Sequence, residues 1–273
     1  MFEKITEQSS LYNDLEQKSV TDILTEMNAE DKKVVVAVQK CIPQIAKLVD
    51  EIVLRMCKGG RVFYIGAGTS GRLGVLDASE IPPTFGVPKT LFYGLIAGGD
   101  TALRNAVESA EDKEGKGWDE LTDHNVTGKD VVIGIAASGT TPYVISALRE
   151  AQAHGILTAC ITSNPDSPIS KVSDIAIEMI VGPEYVTGSS RLKSGTGQKM
   201  ILNMISTATM IRLGRVKGNK MVNMQLTNMK LVDRGTHMLQ ELLGIEYGTA
   251  KKLLLLYGSV EEAYENYQKQ ILT

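Results

Sequence analysis

Cysteine is scarce in this chain of 273 residues: Cys41, Cys57 and Cys160 lie far apart, with no CxxC pair. An odd, scattered set argues against a disulfide framework and fits a reducing, cytoplasmic setting. Histidine is equally sparse, with His124, His154 and His237 as widely spread. Neither set has metal-ligand spacing, so no structural or catalytic metal is expected. Long apolar runs are missing too; none approaches the ~20 residues that a membrane span needs. Met1-Phe2-Glu3-Lys4 lacks an apolar signal core, which argues against secretion. No sign of charge dominates. The net charge of −3 leaves no basic footprint for nucleic acid or an anionic membrane.

What is there is a globular composition, 43% hydrophobic and 22% charged, in a chain long enough to bury a sizeable core. Residues 1–20 are polar and read as extended or partly helical. Residues 21–58 read as helices. Asp31 is a candidate cap there, before Val34, Val35, Val38, Ile42 and Ile45 at helical spacing. After Gly59-Gly60, β-type runs recur at 62–65, 90–96, 131–136, 157–161 and 175–180. Helical patterns separate them at 70–80, 101–113, 142–154 and 166–172. That alternation predicts an α/β fold, a doubly wound and mainly parallel five-stranded sheet flanked by helices. Segment 198–213 is apolar nearly all round, as expected of a helix buried in a domain or at a subunit interface. Beyond 226 no strand pattern remains, and turns near Gly244 and Gly258 mark two or three short helices. The expected organisation is an N-terminal helical region over 1–58, the α/β domain over 59–225 and a small C-terminal helical region over 226–273.

The chemistry is written in the turns. Val62-Phe63-Tyr64-Ile65 runs straight into Gly66-Ala67-Gly68-Thr69-Ser70-Gly71-Arg72. A strand, a glycine-rich turn and a helix start in that order make an anion site, because the first helical N–H groups are unpaired and partly positive. The turn also matches GxGxxG, a dinucleotide pattern. That reading wants an acidic residue about 20 positions on, at the end of the second strand. Asp100 comes too late and reads as the cap of the 101–113 helix, so no nicotinamide cofactor is expected. A tight turn capped by Thr69 or Ser70 is the plainer alternative. A second turn, Ala137-Ser138-Gly139-Thr140-Thr141-Pro142, follows the third strand, with proline suited to a helix start. A third cluster, Gly188-Ser189-Ser190-Arg191-Leu192-Lys193-Ser194-Gly195-Thr196, precedes the apolar helix. One hydroxyl-rich loop is usually a cap. Three, two of them at strand C-termini, point to a pocket for a phosphorylated, hydroxylated ligand. Arg191 and Lys193 can add charge-assisted bonds there.

Together these loops resemble those of the sugar isomerase domain, a doubly wound fold that binds phosphosugars. One branch is matched closely, the N-acetylmuramic acid 6-phosphate etherases. The matching motifs begin with Gly66-Ala67-Gly68-Thr69-Ser70-Gly71-Arg72-Leu73-Gly74, Asp77-Ala78-Ser79-Glu80 and Pro82-Pro83-Thr84-Phe85-Gly86. They continue with Ala106-Val107-Glu108, Ala110-Glu111-Asp112, Ala137-Ser138-Gly139-Thr140-Thr141-Pro142-Tyr143 and the 188–196 cluster, spanning most of the chain. The family often has a basic residue where Thr140 stands and threonine where Ser190 stands. The resemblance implies cleavage of the lactyl ether of N-acetylmuramic acid 6-phosphate to N-acetylglucosamine 6-phosphate and D-lactate. It implies sugar-phosphate contacts from Thr69, Ser70, Ser138, Thr140, Ser189, Ser190 and Arg191. It also implies a cytoplasmic homodimer serving cell-wall amino-sugar recovery, with no cofactor.

By the same resemblance Glu80 is the acid for the leaving group and Glu111 the base. Glu80 is expected at a helix end, since the residue before Pro82-Pro83 disfavours helix. A carboxylate there feels partial negative charge, which favours its protonated form. On a 101–114 helix, Glu111 falls on the flank of the apolar stripe and Glu108 nearly opposite. Periodicity alone does not choose a base. Two rival readings stand beside the etherase. One is an aldose–ketose isomerase on the same fold, which has no use for Glu80. The other is a non-catalytic sensor like glucokinase regulatory protein, which resembles the etherases and binds phosphosugars without turning them over.

Overall fold

Five apolar runs become strands in the computed structural model, which describes residues 2–271. They are β1 (Val62–Gly66), β2 (Phe92–Ile96), β3 (Val131–Ile135), β4 (Leu157–Thr162) and β5 (Ile175–Glu178). All pair in parallel, in the order β2-β1-β3-β4-β5. β1 and β3 are buried at every position; covered on both faces, such strands need continuous rather than alternating apolar sequence. The winding reverses between β1 and β3. Their outgoing turns therefore diverge, and a crevice opens at the C-terminal ends of the strands.

The helices are α1 (Val20–Lys40), α2 (Ile42–Met56), α3 (Gly68–Phe85), α4 (Thr101–Arg104), α5 (Lys116–Asp123), α6 (Pro142–Ala153) and α7 (Lys193–Arg212), then α8 (Met229–Leu243), α9 (Tyr247–Tyr257) and α10 (Val260–Ile271). Four sequence expectations need correction. Asp31 caps nothing; it lies inside α1, whose cap is Ser19, extended and accepting the Asp22 N–H at 3.2 Å. The 101–113 helix stops after one turn, because Asn105 leaves helical geometry (φ −122°, ψ 144°). The 166–172 pattern yields only a 3-10 turn at Ser170–Val172. The helix begun at Gly68 does not end before Pro82-Pro83 but carries both prolines to Phe85. Helix α5 has no counterpart in the sequence reading.

The chain divides into two compact units. The first holds the residues up to Ala78 together with Thr90–Ser206. One face of its sheet packs Phe63, Ile65 and Val132 against Leu121 of α5 and Tyr143, Ala147 and Leu148 of α6. Trp118 of α5 stacks on His154, with ring centroids 4.6 Å apart. On the other face Tyr64 donates to Asp77 of α3 at 3.1 Å, and Asp77 also accepts from Asn203 and Ser206 of α7. Tyr64 and Asp77, both buried, thus satisfy one another, as burial demands. At the far edge from the crevice, Asp130 holds β1 and β3 together. It accepts from the Arg61 N–H at 2.8 Å, the Arg61 guanidinium at 2.8 Å and the Thr127 N–H at 2.8 Å.

The second unit comprises Ser79–Lys89 and the chain from Thr207 onward. Its core is Val222, Leu239, Ala250, Leu254, Val260 and Ala263. The Gln225 N–H donates to the Pro83 carbonyl at 3.0 Å, binding the end of α3 to this core. Gly244 and Gly258 close α8 and α9, where turns were expected. No helix among the described residues is long and apolar enough to cross a membrane.

Candidate active site

The β1 turn is built on contact between glycines. A Cβ on Gly66 would lie 2.8 Å from the Gly71 N, and one on Gly71 would lie 2.7 Å from the Gly66 carbonyl oxygen. Only glycine at both positions lets α3 start flush against the strand. The start leaves the first N–H groups of α3 aimed beyond β1. Ser70 is buried here and donates to Oε1 of Gln198, in α7, at 2.9 Å. Thr69 is half-buried, and its Cγ2 faces Gly195 of the same helix. The β1 turn and the head of α7 are thus one packed feature.

The β3 turn is equally determined. Gly139 has φ +69°, and a Cβ there would sit 2.4 Å from the Ser167 side chain. Buried Asn164 braces the turn from below, donating to the carbonyls of Ala137 and Ser138 at 3.2 and 3.0 Å. The Ser138 hydroxyl accepts from the Thr140 N–H at 3.3 Å and from the Thr140 hydroxyl at 3.1 Å. Its own proton remains for an incoming acceptor. α6 starts at Pro142 as expected, though the Thr141 side chain makes no capping bond.

Between α4 and α5 the chain forms turns rather than helix, with Ser109 at φ +59°. The Tyr143 N–H, in the first turn of α6, donates to the Glu111 carbonyl at 3.0 Å. That bond ties the Glu111 loop to the β3 turn. The same loop closes a cleft of about 240 Å³ over the β1 turn, lined by Gly68, Arg72, Glu108 and Glu111 among small apolar residues. The helical-wheel contrast between the two glutamates therefore fails. With no helix between Arg104 and Lys116, Glu108 and Glu111 both reach one cleft. Of the residues expected in the site, only Glu111 lines this cleft; Thr69, Ser70, Ser138, Thr140, Ser189, Ser190 and Arg191 do not. Asp100 occupies the N-cap position of α4 without a side-chain capping bond.

The third cluster differs from expectation in one respect. The head of α7 already holds an anion of the chain's own. Buried Glu184 accepts the N–H groups of Lys193 and Ser194, each at 2.9 Å. Lys193 is buried as well and its ammonium meets Glu30 at 2.5 Å, so it is not available to a ligand. Burial pushes the Glu30 carboxyl up, but hydrogen bonds from Lys193, Lys33 and Tyr12 outweigh it and hold it below the ordinary range. Ser189 and Ser190 are half-buried and Arg191 is exposed. Among the described residues, the Ser194 hydroxyl and the Gln198 amide nitrogen are buried without a partner. An unmet group of that kind costs about 1–3 kcal/mol.

Glu80 belongs to the second unit and is exposed. α3 continues past it to Phe85, so it does not sit in the last turn of the helix. The reason is that Pro82 and Pro83 remove donors without forcing the chain to turn; the helix closes later, where the Gly86 N–H donates to the Pro82 carbonyl at 2.9 Å. Sequence reading missed Arg72, Glu184 and Gln198. Arg72 alone carried a signal, as a cation one turn into the helix of an anion-binding turn. Among the described residues no cluster of histidine, cysteine, aspartate and glutamate is placed to hold a metal.

Comparison with known proteins places these features. Residues 44–152 match the glucokinase regulatory protein N-terminal SIS domain, and residues 114–208 match the SIS domain. A protein of Bacteroides fragilis named N-acetylmuramic acid 6-phosphate etherase is 72% identical over 267 residues, covering 98% of this chain and 95% of its own. One of the same name from Porphyromonas gingivalis is 66% identical, covering 99% and 98%. A phosphoheptose isomerase from Francisella tularensis shares the fold with a TM-score of 0.52 at 16% identity, over 71% of this chain and 98% of its own.

Proposed function

The chain belongs to the N-acetylmuramic acid 6-phosphate etherase family, and on that footing we propose that it cleaves the D-lactyl ether of N-acetylmuramic acid 6-phosphate. The products are N-acetylglucosamine 6-phosphate and D-lactate. The observation that carries the reading is the near full-length match, at 72% identity, to a protein of that name. The cleft supports it, since one wall is an anion-accepting turn and another carries glutamates.

The chemistry needs a base and an acid. In the open-chain aldehyde, Glu111 takes the C2 proton, which the adjacent carbonyl acidifies. The C3–oxygen bond breaks as the enolate collapses, and Glu80 delivers a proton to the departing lactate oxygen. Water then adds across the double bond, its hydroxyl to C3 and a proton to C2. Electrons balance without oxidation or reduction, so the scheme needs no cofactor. Thr69, Ser70, Ser138, Thr140, Ser189, Ser190 and Arg191 bind the sugar phosphate. The working form is a cytoplasmic homodimer in cell-wall amino-sugar recovery, organised as the 59–225 domain between helical end regions.

A second reading has one observation in its favour, the match of residues 44–152 to a regulatory protein's domain. A phosphosugar-binding regulator would bind the substrate and release nothing. Purified protein incubated with N-acetylmuramic acid 6-phosphate decides. D-Lactate in equal amount with N-acetylglucosamine 6-phosphate is expected. Saturable binding without lactate supports the regulator, and interconversion of aldose and ketose supports an isomerase.

A further inference from the structure

Arg72 stands out once the cleft is described. Its side chain lines the same cleft as Glu111. Its Nε donates to the Leu103 carbonyl at 3.1 Å, which fixes the guanidinium plane from one side. Among the described residues no carboxylate lies within ion-pair distance of it, so its terminal nitrogens hold no anion. A half-buried arginine anchored at one nitrogen and open at the others is suited to a planar anion bound in bidentate fashion. The walls around it are small and apolar: Ala67, Ala97, Ala102, Ala106 and Val107.

Resting on the etherase reading, we propose that Arg72 binds the carboxylate of the substrate's lactyl group and so sets specificity for the ether over the plain amino sugar. The chemistry of the reaction requires the neighbourhood. The base acts at C2, and the lactyl oxygen is attached to C3, one bond away. The lactyl group must therefore lie within the cleft that holds the base. That group is a methyl and a carboxylate on one carbon. The alanine-lined wall suits the methyl and the guanidinium suits the carboxylate. At about 240 Å³ the cleft has the liquid volume of roughly eight waters, room for such a substituent. A phosphate is the competing anion; the β1 turn meets this cleft only through Ala67 and Gly68, and none of the hydroxyl side chains expected to serve a phosphate, Thr69, Ser70, Ser138 and Thr140, is in the lining. Opposite charge beside Glu108 and Glu111 also keeps the lactyl carboxylate from being repelled by both.

The test compares three ligands on the wild type and on Arg72→Gln and Arg72→Lys: the substrate, its lactyl carboxamide, and N-acetylglucosamine 6-phosphate. Lactate or lactamide release and binding by calorimetry are the readouts. For wild type, kcat/KM is expected to fall roughly 10- to 100-fold on the carboxamide, the size of one charged-group hydrogen bond. Arg72→Gln should lose as much on the acid, little more on the carboxamide, and keep its affinity for the product. Arg72→Lys should recover part of the loss on the acid. Equal loss on acid and carboxamide, or lost affinity for the product, overturns the assignment and marks Arg72 as a phosphate or purely structural residue. The wild-type carboxamide comparison stands even if a variant misfolds. A wild type that releases no lactate from the acid sinks the etherase reading itself, and the lactyl assignment with it.

Discussion

At the scale of single residues, the two glutamates differ in how they are held. Glu111 is fixed by its backbone to the first turn of α6, whereas Glu80 projects from the middle of α3. If Glu111 is the base, Glu111→Gln removes both lactate release and exchange of the C2 proton with deuterated water. If Glu80 is only the acid, Glu80→Gln loses release but still exchanges C2, since abstraction needs only the base and a stabilised enolate. Each loss should be ~100–10,000-fold. Proton NMR in deuterated buffer reads both; exchange at the wild-type rate in the Glu111 variant would end that assignment. The serines separate as well. Ser138 only accepts in its described bonds, while Ser70 has committed its proton to Gln198. Ser138→Ala should therefore weaken phosphosugar binding by about 1–3 kcal/mol, and Ser70→Ala by less. Calorimetry with N-acetylglucosamine 6-phosphate measures it, and a larger loss at Ser70 reverses the ranking.

At the scale of elements, strands were legible and loop placement was not. Val62–Ile65 and Val131–Ala136 announce themselves because central parallel strands are apolar at every position. The stretch from Ala106 to Ala110 misled for a physical reason. Its alanines and valine have helical spacing, yet they line a cleft, and Ser109 at φ +59° belongs to no helix. Periodicity reports apolar surroundings, not the backbone that creates them. The prolines misled in the opposite direction, since the C-terminal end of α3 is set at Gly86 and not at Pro82. Glu184 was invisible because a cap nine residues upstream in sequence is close only after folding. The β1–β3 fastening gives a prediction at this scale. Burial pushes the Asp130 carboxyl up, but Arg61 and the N–H groups of Thr127 and Arg61 outweigh it and hold it below the ordinary range. Its stabilisation is therefore complete above the unfolded value near 3.9 and fades as pH falls through the lower folded value. Asp130→Asn should cost about 2–3 kcal/mol at pH 7. Urea titrations should show that gap narrowing below about pH 4; a gap that widens there contradicts the account.

For the whole molecule, α7 carries exposed apolar side chains: Met204 is 37% and Ile211 50% exposed, while Ile201, Leu202 and Ile205 are buried. A homodimer built on such surface should give a light-scattering mass about twice 29.6 kDa. Met204→Glu with Ile211→Glu should return it toward the monomer, and an unshifted dimer would move the interface elsewhere. The stacked Trp118 has an optical consequence. It is the chain's one tryptophan, and it lies in the first unit, directly after the loop that carries Glu111. Indole emission thus watches the first unit alone, whereas far-ultraviolet circular dichroism sums the helices of both. In a denaturant series the two signals become independent witnesses. Superimposed curves would mean that the sheet and the terminal helices melt as one cooperative body. Separated curves would let the stability of each be read from a protein that has never been cut.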